Sequence, residues 1–163
     1  MDRVEPGTRR KRRTSPKGKM QILSLTEGGI RTVLYLSLAE EDRWVPSEEI
    51  CRTQEISPTY LAKITRPLLK RGILSAARGV GGGLRLGRPP DTISMLEVIE
   101  TLQGPLNFNK CLIGPGTCKR DSHCPVHPVW KQIKEGTERI LALWTFSDLA
   151  RQARSQDTRQ LNQ

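Results

Sequence analysis

The chain has 163 residues, a formal net charge of +10, 36% hydrophobic residues and only 4% aromatic residues. No apolar run approaches the ~20 residues of a membrane-spanning helix, which excludes a helical membrane protein. The basic balance points to nucleic acid or an acidic surface as partner, and a core this poor in aromatics fits a chain that shares core with a second copy.

The charge is uneven. Residues 1–19 hold eight basic and two acidic residues, a net of +6. This stretch, with Arg9, Arg10, Lys11, Arg12 and Arg13 in a row, reads as a disordered basic extension, and such runs are usually solvated tails. Met20 is an alternative start. The segment lacks the apolar centre of a signal peptide, so a cytoplasmic location is expected.

Ordered structure is expected after Met20. Ser24 and Glu27 have the spacing of a capping box, and Ile30, Val33, Leu34 and Leu38 share one helical face up to about Glu40. Gly28 and Gly29 weaken the first turn and leave room for a close neighbour. Ser47 is the expected cap of a short helix over 48–54. Ser57 followed by Pro58 opens another helix, which Gly72 ends near Arg71. Leu61, Ile64 and Leu68 form its apolar face; Thr59, Tyr60, Lys63, Arg66 and Lys70 point elsewhere. This is the pattern of a helix-turn-helix, or of an amphipathic pair with a solvated basic face. Pro67 should kink or break the second helix near 63–66.

Residues 73–76 and 84–86 are short strand candidates. Between them, four of the five residues 79–83 are glycine, more than a hairpin turn needs. With Arg78 at its base, this segment suits a wing that lies along DNA, the arginine reaching a phosphate or the minor groove. A nucleotide phosphate loop would need a following helix and a Lys-Ser/Thr pair, and neither is present.

Ser94 and Glu97 form a second capping pattern, with a helix expected to Leu102. Gly104 and Pro105 end it. Next comes the densest chemistry of the chain. Three of the four cysteines (Cys111, Cys118, Cys124) and both histidines (His123, His127) fall within residues 111–127. Gly114, Pro115, Gly116 and Pro125 make the stretch a loop. Free cysteine is normally a small buried hydrophobe, and such a loop offers little core for three. A disulfide, a zinc site or an iron–sulfur cluster remains. Lys110, Lys119 and Arg120 favour thiolates, and a reducing compartment favours metal over disulfide. Cys51 lies apart and reads as core packing. From Pro125 the pattern is helical again. Val126, Trp130, Ile133, Thr137, Ile140 and Trp144 form a heptad-type seam that suits dimerisation or packing on the chain's own domain. Ser147 is the expected cap of a final short turn over 148–152, and the polar tail beyond Arg154 is expected to fray.

This order of elements resembles the IscR/NsrR family of iron–sulfur winged-helix transcription regulators, the Rrf-2 type. The resemblance rests on ISPTYLAKI (56–64), RGVGGGLRL (78–86) and the C-x6-C-x5-C-x2-H loop, and covers residue 20 to about 149. It implies a mainly α fold with a small β-hairpin wing: a winged helix-turn-helix plus a long dimerisation helix. The expected units are 1–19, a DNA-binding domain over 20–90, a cluster loop and dimerisation helix over 91–152, and a flexible tail over 153–163. By position, Ser57, Thr59, Tyr60 and Lys63 fall on the family's major-groove residues and Arg78 on its wing arginine. Cys111, Cys118 and Cys124 fall on its cluster cysteines. His127 is the expected fourth ligand, ahead of Glu27 from the partner subunit and of His123. The implied cofactor is an iron–sulfur cluster, [2Fe–2S] rather than [4Fe–4S]. The implied partners are double-stranded DNA with a two-fold symmetric operator and a second copy of the chain.

The expected function is a DNA-binding regulator, acting as a repressor, that senses redox state, nitric oxide or iron status. The alternative is a DNA-binding regulator with a purely structural zinc. No nucleophile–base pair or carboxylate dyad suggests an enzyme.

Overall fold

The computed structural model describes residues 22–109, 112–113, 118–120 and 123–160. The basic extension, Met20 and Cys111 lie outside them. Helix α1 (Ser24–Leu38) is the central element, packed against the helices over 47–54, 58–70, 95–103 and 146–160 and against the strand over 83–86. Ser24 is already helical, so it does not cap. The capping position falls on Leu23, and no side chain fills it. Leu23 instead donates its N–H to the side-chain oxygen of Gln103 at 3.1 Å. A tertiary contact has replaced the expected local one. The helix stops at Leu38, short of Glu40.

The two glycines of α1 are packing residues. A Cβ on Gly29 would lie 2.1 Å from Leu102 Cδ1, and one on Gly28 would lie 3.0 Å from both the Tyr60 ring and Ile64. Their helix cost of about 1 kcal/mol each is offset by the close approach of two neighbouring helices.

Helix α2 (Ser47–Gln54) starts after Pro46 and not with Ser47 as cap. Glu55, in left-handed conformation, closes it by donating its N–H to the Cys51 carbonyl. Helix α3 (Pro58–Lys70) begins as expected, with Ser57 Oγ accepting the Tyr60 N–H at 3.2 Å and Pro58 in the first turn. It runs unbroken through Pro67. The expected break is absent because Ile64, Thr65 and Leu68, buried on either side of the proline, hold both turns in the core. Tyr35 and Arg43 both donate to Glu49 of α2, at 2.7 and 2.8 Å. The Tyr35 hydroxyl, then the Arg43 guanidinium, hold this carboxyl below its ordinary pKa.

Strands β1 (Leu74–Ala77) and β2 (Gly83–Leu86) pair antiparallel, with Leu74 opposite Leu86 and Ala77 opposite Gly83. Val45 adds one more rung, exchanging N–H···O bonds with Leu84 at 2.9 and 2.8 Å. Arg85 lies over the Trp44 ring, 4.5 Å from its centroid, and pairs with Asp42 at 2.6 Å.

A 3-10 turn (Pro90–Thr92) leads to α4 (Met95–Gln103). Ser94 caps α4 by accepting the Glu97 N–H at 3.2 Å. Glu97 does not reach back to close the box; its carboxylate pairs with Arg88.

Helix α5 (His127–Leu143) is followed at once by α6 (Phe146–Gln160). The last helix is longer than expected and is capped by Thr145, not Ser147. Thr145 Oγ1 accepts the Asp148 N–H at 3.2 Å. The Asp148 carboxylate accepts the Thr145 hydroxyl at 2.7 Å and its N–H at 3.2 Å. Residues 93–95 pair with 144–146 through Met95 N–H to Trp144 O and Phe146 N–H to Ile93 O. This places Phe146, fully buried, in the same core as Val33, Ile50, Ile64, Leu68, Ile73 and Val98. The core is therefore continuous across residue 90. A second, smaller cluster joins Ile99, Leu106 and Phe108 to the half-buried Trp130 and Leu141 of α5.

Candidate nucleic-acid interface and cysteine loop

Helix α3 buries Leu61, Ile64, Thr65 and Leu68. Ser57, Thr59 and Lys63 consequently face solvent, as does Arg66. Tyr60 is half-buried, its ring edge against α1 at Gly28. It thus links the candidate reading surface to the central helix. Arg78 is exposed where β1 ends and the hairpin tip begins.

The tip is a four-residue turn closed by Gly82 N–H to Gly79 O at 3.0 Å. Gly81 has φ +77°, a strained region for any residue with a side chain. A Cβ on Gly83 would lie 2.2 Å from the Val45 carbonyl oxygen. The glycine excess thus has two causes, turn geometry and close backbone approach. Composition alone does not separate them. Sequence reasoning overlooked Val80, the one side chain on this loop.

A cavity of about 450 Å³ opens at the wing root between α1, β2 and Arg154. Arg43, Arg85 and Arg88 on its wall are already paired with Glu49, Asp42 and Glu97.

The cysteine loop is anchored at both ends. Leu106 and Phe108 are buried just before it. Asn109, with its amide oriented by its neighbours, accepts the Trp130 Nε1–H at 2.9 Å, which ties the loop's start to α5. Cys118 and Cys124 are free thiols, each half-buried. His127 is the first residue of α5 and donates its N–H to the Cys124 carbonyl at 3.1 Å. Its Nδ1 is buried and has no hydrogen-bond partner among the described residues. His123 is exposed, and Glu27 is exposed on the first turn of α1. Cys51 is half-buried against the main core, in keeping with a packing role.

Among the described residues no three His, Cys, Asp or Glu side chains come together as a metal site. Cys111 lies outside those residues. The donor chemistry nevertheless fits an iron–sulfur cluster. A buried imidazole nitrogen without a partner calls for an explanation, and thiolates with an imidazole are established cluster ligands.

Helix α5 has no buried residue. Trp130, expected in the seam, turns instead toward α4. Val126, Val129, Ile133, Ile140, Leu143 and Trp144 are exposed.

A helix-turn-helix with an exposed polar and basic N-terminal half, flanked by a two-stranded hairpin, defines a winged-helix protein. The chain belongs to the Rrf2 family, described as iron-dependent transcriptional regulators, whose profile matches residues 22–152. An HTH-type transcriptional regulator of Aquifex aeolicus is 33% identical over 117 residues, 71% of this chain and 81% of its own. The HTH-type transcriptional regulator IscR of Klebsiella pneumoniae is 30% identical over 130 residues, 80% and 79% of the two chains. The structure of CymR, the global cysteine regulator of Bacillus subtilis, matches with a TM-score of 0.66 at 26% identity, covering 80% of this chain and 95% of that one. The protein is a DNA-binding transcriptional regulator, not an enzyme. No helix among the described residues is long and apolar enough to cross a membrane.

Proposed function

We propose that this regulator is a cytoplasmic homodimer that represses transcription and senses redox state, nitric oxide or iron through an iron–sulfur cluster, of [2Fe–2S] type, held by Cys111, Cys118, Cys124 and His127. The observation that carries this reading is the buried Nδ1 of His127, without a partner among the described residues, in the residue whose backbone N–H bonds the Cys124 carbonyl. His127 is preferred to Glu27 as fourth ligand because its N–H bonds the Cys124 carbonyl, which sets it next to a candidate cysteine within one chain. Bound there, a cluster supplies a link between the loop and α5 that oxidants or nitric oxide can break.

The chain's own residues carry the rest. Ser57, Thr59, Tyr60 and Lys63 read the major groove, and Arg78 of the wing contacts a phosphate or the minor groove. The exposed apolar stripe of α5 meets its counterpart in the second copy, which gives a two-fold symmetric operator with half-sites about one helical turn apart. Asn109 and Trp130 fix the loop to α5, so freeing the loop alters the seat of the dimer helix.

Anaerobic purification with iron and sulfide analysis, visible and Mössbauer spectroscopy tests this reading. A brown protein is expected, bleached by Cys111→Ala, Cys118→Ala or Cys124→Ala and unaffected by Cys51→Ala. His127→Ala is expected to alter the visible circular dichroism and midpoint potential, with Glu27→Ala matching wild type. A colourless protein holding stoichiometric zinc contradicts the reading and supports a structural metal.

A further inference from the structure

We propose that Val80 is a specificity-determining residue: it enters the minor groove beside each half-site, packs against the deoxyribose walls and selects A·T over G·C there. The inference rests on the chain's membership of a DNA-binding family and goes beyond it to one residue and one sequence preference.

Val80 is the second residue of the tip turn, and its side chain is fully exposed at 110% relative accessibility. A Cβ placed on Gly79 or Gly81, its two neighbours, would meet nothing within 4 Å. The tip is thus a bare ribbon of backbone bearing a single branched apolar side chain. Turn chemistry does not ask for valine, since Gly, Pro, Asn, Asp and Ser are the residues that stabilise turns. The fold does not ask for it either, because the side chain packs against nothing.

A groove about 6 Å wide admits such a ribbon where it would exclude a bulkier loop. Arg78, exposed at the foot of the tip, supplies the charge that a minor groove attracts. On the groove floor, A·T pairs show only acceptors, whereas G·C adds the guanine N2 amino group. A valine cannot accept a hydrogen bond from that amine and leaves it buried without a partner. Apolar side chains in the minor groove are a recurrent device of DNA-binding proteins.

The test uses the full-length protein and an operator obtained by selection from random duplexes. Wild type, Val80→Ala and Arg78→Ala are titrated on operators with A·T or G·C flanks over a range of salt. Val80→Ala should weaken binding to the A·T-flanked duplex about five-fold and barely change binding to the G·C-flanked one. Its salt slope should equal that of wild type, because an apolar contact releases no counterions. Replacing the flanking guanines by inosine, which lacks the 2-amino group, should restore wild-type affinity. Arg78→Ala should weaken both duplexes alike and lower the salt slope. Unchanged affinity of Val80→Ala on both duplexes, a changed slope for that variant, or no gain from inosine overturns the proposal. Failure of wild type to select any operator would instead remove DNA reading itself. Unfolding curves of Val80→Ala should overlay those of wild type, since no neighbour loses a contact.

Discussion

In the winged-helix head, α3 buries Leu61, Ile64 and Leu68, α1 buries Val33 and Leu36, and α6 sends Phe146 into the same core. Helix α5 is the longest of the described helices at 17 residues, yet it buries none of them. Its Val129, Ile133, Ile140 and Leu143 stand 52%, 41%, 60% and 72% exposed. The head closes its core within one chain, whereas α5 keeps an apolar stripe that one chain leaves uncovered. A contiguous apolar stripe of this kind marks an interaction surface. The contrast teaches that the two regions answer to different tests: the head to folding measurements, the arm to assembly.

The largest expected effect is on assembly. Ile133→Asp with Ile140→Asp should convert the proposed dimer to a monomer by analytical ultracentrifugation while leaving the helical circular dichroism intact. A folded variant that remains dimeric removes α5 from the interface.

Next is Gly29→Ala, which tests the head. Ala gains about 1 kcal/mol of helix propensity, but its Cβ would lie 2.1 Å from Leu102, and overpacking costs about 1–3 kcal/mol. The net outcome should be destabilisation in urea unfolding. A more stable variant would mean that α4 yields freely and that the head is loosely packed at this contact.

A smaller effect is expected at the junction of arm and head. The Thr145 hydroxyl and N–H, and then Arg151, hold the Asp148 carboxyl below its ordinary pKa. A lowered folded-state value means that the stabilising contribution is present above the unfolded pKa and is lost as pH falls through the folded one. The stability gap between wild type and Asp148→Asn should therefore narrow below about pH 4. A gap independent of pH would show that the capping interaction does not depend on the charge.

How far each region is legible in the sequence follows the same division. Helix α3 was readable because Ser57, Pro58 and the Leu61–Ile64–Leu68 spacing act locally and agree. Ser24 misled because its partner pattern is also local, whereas the contact that prevails, Leu23 with Gln103, spans 80 positions. Thr145 and Asp148 have capping spacing too, but Ser147 has a capping side chain as well and stands closer to the polar run, so local pattern does not separate the two. The length of α6 is hidden by its polar sequence; Phe146 and Ala150, buried, and Leu149, packed on the main core, are what hold it. Trp130 shows the limit of periodicity. A heptad spacing identifies apolar positions but not which neighbour takes them, and here α4 takes Trp130 while Ile133 and Ile140 stay outside. At the candidate site, the cysteine and histidine spacing was legible. The burial of His127 Nδ1 away from any partner among the described residues is set by the fold and not by local sequence.

Cluster sensing is tested most directly by operator binding of one anaerobic preparation, measured before and after its cluster is removed by chelation and with dimer content checked in both. At least a ten-fold change in affinity is expected, absent in the Cys124→Ala protein, which should bind equally before and after the treatment. Equal affinity of the wild-type protein with and without the cluster would contradict it.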